Sequence, residues 1–181
     1  MRLPLTYLTR YLARFVGLCL VVAMMAVRPA SAGFENAVAA FDAGDYETAA
    51  AEWRSLAHQC DARAQTALAG LYRSGLGAPH SPVEAIRWYL TAAWAGERYA
   101  QQIVGDAYAV GDVLPADSVK AAFWLTLAAR NGLEWAARRR AEIVATLSET
   151  RLARVERRLA RFRLTDAAAC RAARTATDHG G

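Results

Sequence analysis

Two cysteines, Cys60 and Cys170, are the residues of this chain best placed for covalent chemistry, and most other reactive groups stand alone. The histidines, His58, His80 and His179, are scattered without a neighbouring Cys or second ligand, whereas a zinc site needs at least three protein ligands. No Ser or Cys lies beside a plausible base. Asp112 and Asp117 flank a loop and are explained by helix capping or solvation. Gly75 and Gly77 follow no strand, so they read as helix-stop and turn residues and not as a phosphate loop. Trp88 and Trp124 could stack on sugars, but their matching places in a repeat make them core. Neither a cofactor nor a metal is expected. A non-enzymatic chain is expected, with an envelope hydrolase as the weakest alternative.

The elements that carry these residues are written twice. "AIRWYLTAAWAG" at 85–96 and "AAFWLTLAARNG" at 121–132 share small residues, a Trp and a Gly. One shift of 36 residues also brings Ala64 onto Ala100, Leu68 onto Val104, Tyr72 onto Tyr108 and Gly75 onto Gly111. Periods of this size mean stacked units that bury a shared core. In each unit Ala64, Leu68, Leu71 and Tyr72 share one helical face, after an Asp61 cap and before a Gly75 stop. "SPVE" at 81–84 restarts a second helix, in which Ser81 caps, Pro82 fits the first turn and Glu84 reaches back. Ala85, Trp88, Tyr89, Ala92 and Ala93 line that helix before Gly96 closes it. The fold class is therefore all-α, a solenoid of helical hairpins. Full repeats span 61–96 and 97–132 of a 33–146 domain, with a worn half-copy before them and another behind.

The segment before the repeats reads as an address. Arg2, Arg10 and Arg14 precede an apolar run of 13 residues, Phe15 to Val27, too short for the roughly 20 residues of a membrane span. Ala30-Ser31-Ala32 follows as a small-x-small cleavage motif, so residues 1–32 read as a secretory signal cut after Ala32, with a retained anchor as the alternative. The expected location is periplasmic or secreted. Export removes Cys19 and places Cys60 and Cys170 in an oxidising compartment. A Cys60–Cys170 bridge must cross three layers of about 10 Å with a tail that reaches at most about 25 Å. Two free thiols or a bond to another chain stay open beside it.

Charge is distributed unevenly. Residues 33–134 carry 7 basic and 12 acidic side chains, whereas 135–181 carry 11 and 5. In "SETRLARVERRLARF" at 148–162, Leu152, Val155, Leu159 and Phe162 form one stripe, and Arg151, Arg154, Arg157, Arg158 and Arg161 occupy the remainder. Residues 147–163 thus read as a basic amphipathic helix that caps the stack, with an anionic membrane surface as the alternative use of its arginines. Nucleic acid is a poor partner for an exported chain. Residues 164–181 read as a frayed tail.

"ALAGLYRSGLG" at 67–77 with "EAIRWYLTAAWAG" at 84–96, and "IVGDAYAVGDV" at 103–113 with "KAAFWLTLAARNG" at 120–132, resemble Sel1-like repeats, which are related to tetratricopeptide repeats. The first copy departs from the family pattern at Ala69 and Glu84, and the second has Val113 where the first has Gly77. It implies a right-handed superhelical solenoid that acts as a scaffold for another envelope or secreted protein. Cysteine-rich members of that family carry a disulfide in each repeat, which this chain lacks. In such stacks the first helices line the binding side. The candidate contacts are then Arg63, Thr66, Arg73, Gln102, Asp106, Arg138 and Arg139, opposite the Ala64/Leu68/Tyr72 face. Specificity is expected where the copies differ, as at Arg87 against Phe123 and Trp94 against Arg130.

Overall fold

The computed structural model describes residues 30–163, and the expectations for residues 1–29 and 164–181, including the signal and the tail, lie outside it. Eight helices and no strand occur among the described residues: α1 (Ala30–Asp42), α2 (Tyr46–His58), α3 (Ala62–Ser74), α4 (Pro82–Trp94), α5 (Arg98–Val110), α6 (Ser118–Arg130), α7 (Glu134–Val144) and α8 (Glu149–Arg161). Consecutive helices pack from α1 to α7, and α8 then packs chiefly on α6. The order is that of a helical-hairpin solenoid. The worn half-copy before the repeats is a complete hairpin, because α1 pairs with α2. That helix begins three residues before the expected cleavage point and so spans it.

Polar caps start the helices where the sequence placed them. The Asp61 carboxylate accepts from the Arg63 and Ala64 amides at 2.9 and 3.1 Å. Ser81 Oγ accepts from the Glu84 amide at 3.2 Å. Glu84 does not reach back to complete a capping box; its carboxylate accepts from Arg87 at 2.7 Å instead. Gly75 and Gly111 end α3 and α5 in the left-handed conformation at φ 75° and 80°. There a Cβ would crowd the following carbonyl.

The core repeats with the sequence. Ala64 and Ala100, Leu68 and Val104, and Ala92 and Ala128 are all fully buried. Small residues at these places let neighbouring helices approach closely. A buried polar pair repeats as well. Gln65 Nε2 donates to the Ala57 carbonyl and Gln101 Nε2 to the Ala93 carbonyl, each at 3.2 Å. Each glutamine satisfies a carbonyl near the end of the preceding hairpin's second helix, tying layer to layer. Asn131 Nδ2 extends the second of these links by donating to Gln101 Oε1 at 2.9 Å.

The last hairpin departs from the pattern. In α5, Gln101, Val104 and Gly105 are covered by α6. The equivalent Ala137, Arg140 and Ala141 of α7 are exposed, because α8 makes little contact with α7. Instead Phe162, just past α8, stacks on Trp94 at 5.5 Å and meets Phe123 edge-on at 5.6 Å. Wrapped by α5, α7 and α8, α6 is buried without interruption from Ala121 to Ala128.

Candidate functional site

A groove of about 280 Å³ opens between α4 and α5, beside the end of α3. Ile86, Ile103, Ala107, Val110 and Val113 give it an apolar lining, and Arg73, Gln102, Asp106 and Asp112 stand around it. Val110 is 69% exposed, so an apolar side chain of this size stands in water at the groove's edge. Burying it against a ligand would release ordered water and stabilise the complex. Inside, Tyr89 is 3% exposed. Burial pushes its phenol pKa above the ordinary value, and the nearby Arg73 guanidinium partly opposes the shift. Tyr89 is therefore a neutral hydrogen-bonding group at the groove wall.

A polar chain crosses from α5 to α7 along one side. Gln102 Nε2 donates to Asp106 Oδ2 at 3.1 Å, Arg139 Nε lies 3.7 Å from Asp106 Oδ1, and Arg139 Nη1 donates to Glu142 at 2.7 Å. These side chains hold one another in place before any partner arrives, which lowers the ordering cost of binding.

Three of the seven expected contacts, Arg73, Gln102 and Asp106, come together at this groove, and Arg139 joins them through Asp106. The other three do not. Arg63 sits over the Phe34 ring at 4.4 Å and pairs with Asp61 at 3.6 Å, so it serves the first layer. Thr66 Oγ1 donates to the Ala62 carbonyl and to Glu97 Oε2, and the same Glu97 oxygen caps the Ala100 amide. Arg138 is exposed and has no ion pair among the described residues. Ile86, Tyr89, Ile103, Val110 and Val113 line the groove and are not among the seven expected contacts. A signal was available, because Asp106, Val110 and Val113 stand where the first copy has Gly70, Ser74 and Gly77.

The two differences expected to carry specificity have another use. Phe123 is fully buried, and Trp94 lies 5.0 Å from Trp124 and stacks on Phe162. Both residues seat α8, which explains why the copies diverge there.

The arginines of α8 border two shallow clefts against the loop before α6. One, of about 490 Å³, includes Ser118, Arg151 and Arg154, and the other, of about 430 Å³, includes Lys120, Arg157, Arg158 and Arg161. Arg151 Nη1 donates to Ser118 Oγ at 3.3 Å, and Arg158 lies over the Phe123 ring at 5.1 Å. The apolar stripe of α8 faces inward: Val155 is 5% exposed, and Leu159 and Phe162 pack on the core.

Cys60 takes a positive φ of 66° in the position that Gly96 and Gly132 hold in later layers. It is disulfide-bonded, and its partner lies outside the described residues, as does the expected Cys170. Among the described residues no group of three His, Cys, Asp or Glu side chains could hold a metal ion, and no helix is long and apolar enough to cross a membrane.

The family model for the Sel1 repeat matches residues 62–96 and 98–133. No curated protein matches the chain. Among solved structures, a Sel1 repeat protein from Oxalobacter formigenes is 30% identical, with a TM-score of 0.58 over 63% of this chain and 89% of that one. A protective antigen present in uropathogenic Escherichia coli strains, c5321, displays an SLR fold and is similar at 22% identity with a TM-score of 0.68. That match covers 77% of this chain, which spans only 30% of the antigen's length.

Proposed function

The chain belongs to the Sel1 repeat family, whose members generally mediate contacts between proteins, and from that premise we propose that it is an exported, non-enzymatic scaffold whose α4–α5 groove holds a partner protein. One observation carries the reading: Gln102, Ile103, Asp106, Val110 and Val113 of the groove stand where the first repeat has a different residue, while core alanines such as Ala64 and Ala92 recur at the same shift. An apolar lining with a pre-arranged Gln102–Asp106–Arg139 edge is suited to a protein segment that inserts apolar side chains and presents donors to Asp106. The basic start, apolar run and Ala30-Ser31-Ala32 motif support a periplasmic or secreted location. Cleavage after Ala32 would leave Phe34, Ala37 and Val38 to pack the first layer.

Asp106→Arg is expected to reduce partner capture from a native envelope extract at least tenfold, since a buried or half-buried charge left without its counterpart costs about 2–5 kcal/mol. Unchanged capture with an intact circular dichroism spectrum would place the contact elsewhere. The membrane-surface reading is weaker, because the stripe that an interfacial helix would insert into lipid is engaged by the core.

We further propose that Cys170 is the partner of Cys60, since signal cleavage removes Cys19. The path of α8 supports it: Phe162 lies against Trp94 at the end of α4, so the chain has already turned back toward the layer that carries Cys60. Mass spectrometry of the exported protein, with and without reductant, is expected to show a peptide pair containing Cys60 and Cys170. Two alkylatable thiols would refute the bridge.

A further inference from the structure

We infer that the two ends of the solenoid bind each other between copies, so that the protein assembles head to tail. A repeat stack buries its core layer on layer, and each end presents a surface shaped for another unit unless a cap covers it. At the carboxyl end, α7 buries only Ala136, because α8 has moved onto α6. Trp135 is left 38% exposed, beside exposed Ala137, Arg138 and Ala141. At the amino end, Phe41 is 36% exposed, and Glu35, Asp42 and Glu47 are exposed with no ion pair among the described residues. Each end thus offers a partly open aromatic ring and unpaired charge.

The charges are opposite. Residues 33–58 carry five acidic side chains and one arginine, whereas 134–163 carry nine arginines and four acidic side chains. Two amino ends or two carboxyl ends would repel, while unlike ends attract, so the charge pattern selects the occupant as a second copy in head-to-tail register. Such an interface uses different patches on the two copies and propagates as an open chain or a closed ring. It leaves the α4–α5 groove unoccupied, so arrays would display the groove repeatedly.

Sedimentation velocity of the mature protein tests the inference. The expected result is a weight-average mass that rises with concentration at about 0.01 M salt, where charges act over about 30 Å, and returns to monomer near 1 M, where they act over about 3 Å. Glu35→Lys/Asp42→Lys brings residues 33–58 from net −4 to 0, and Arg138→Glu/Arg157→Glu brings 134–163 from net +5 to +1, so each variant should remain monomeric alone for want of one attracting end. Mixed together, they should recover association, because the unaltered carboxyl end of the first meets the unaltered amino end of the second. A monomer at every concentration and salt would overturn the inference, as would association that both variants retain. Binding of monomers to anionic vesicles without self-association would also overturn it and assign the cationic end to lipid.

Discussion

Trp124→Ala is expected to lower the free energy of unfolding by about 3–5 kcal/mol, the usual loss when a large buried aromatic side chain is truncated. The ring is 1% exposed and contacts Phe123 at 4.9 Å, Trp94 at 5.0 Å and Phe162 at 6.2 Å. Its removal leaves a cavity where α6 and the seat of α8 meet. Trp88 occupies the same repeat position but is only half-buried, with His58 edge-on at 5.7 Å. Trp88→Ala should therefore cost clearly less. Urea unfolding followed by circular dichroism measures both, and equal losses would contradict the seating of α8 against Trp124 and not Trp88.

Gly77→Ala is the second large effect, expected at about 2–5 kcal/mol from a left-handed backbone and overpacking together. Gly77 adopts φ 61°, and an added Cβ would overlap the Tyr46 carbonyl at the start of α2. Backbone, not a movable side chain, blocks the space. Gly132→Ala provides the comparison: its φ of 89° is equally left-handed, but nothing lies within 4 Å of the added atom. That variant should lose only about 1–2 kcal/mol, the conformational cost by itself. Similar losses for the two variants would mean that the loop of the first repeat does not press on α2.

Which parts of the structure the sequence revealed follows from the range of the interactions involved. Asp61, Ser81, Gly75 and Gly111 act within a few residues of themselves, so caps and stops were readable from local spacing. The core was readable because Ala64, Leu68 and Ala92 recur at a fixed shift. The position of α8 was not, since it depends on Phe162 meeting Trp94 and Phe123 from distant parts of the chain. Without that contact, Trp94 and Phe123 read as positions that carry specificity.

The groove was half legible for a related reason. Helical geometry put Arg73, Gln102 and Asp106 on one side of the stack, but it could not show that Thr66 is engaged by Glu97 or that Arg63 lies on Phe34. The apolar lining was hidden because Ile86 and Tyr89 share their helix with core residues and look like core in periodicity alone.

Site-specific photo-crosslinking in the native envelope tests the groove most directly. Val110 and Val83 are both strongly exposed valines, at 69% and 62%, yet only Val110 lines the groove. A photoreactive residue at Val110 should give a discrete adduct with one envelope protein, and Asp106→Arg should abolish it; the same residue at Val83 should give none. Adducts of equal yield at both positions, or an adduct at Val83 alone, would contradict the account.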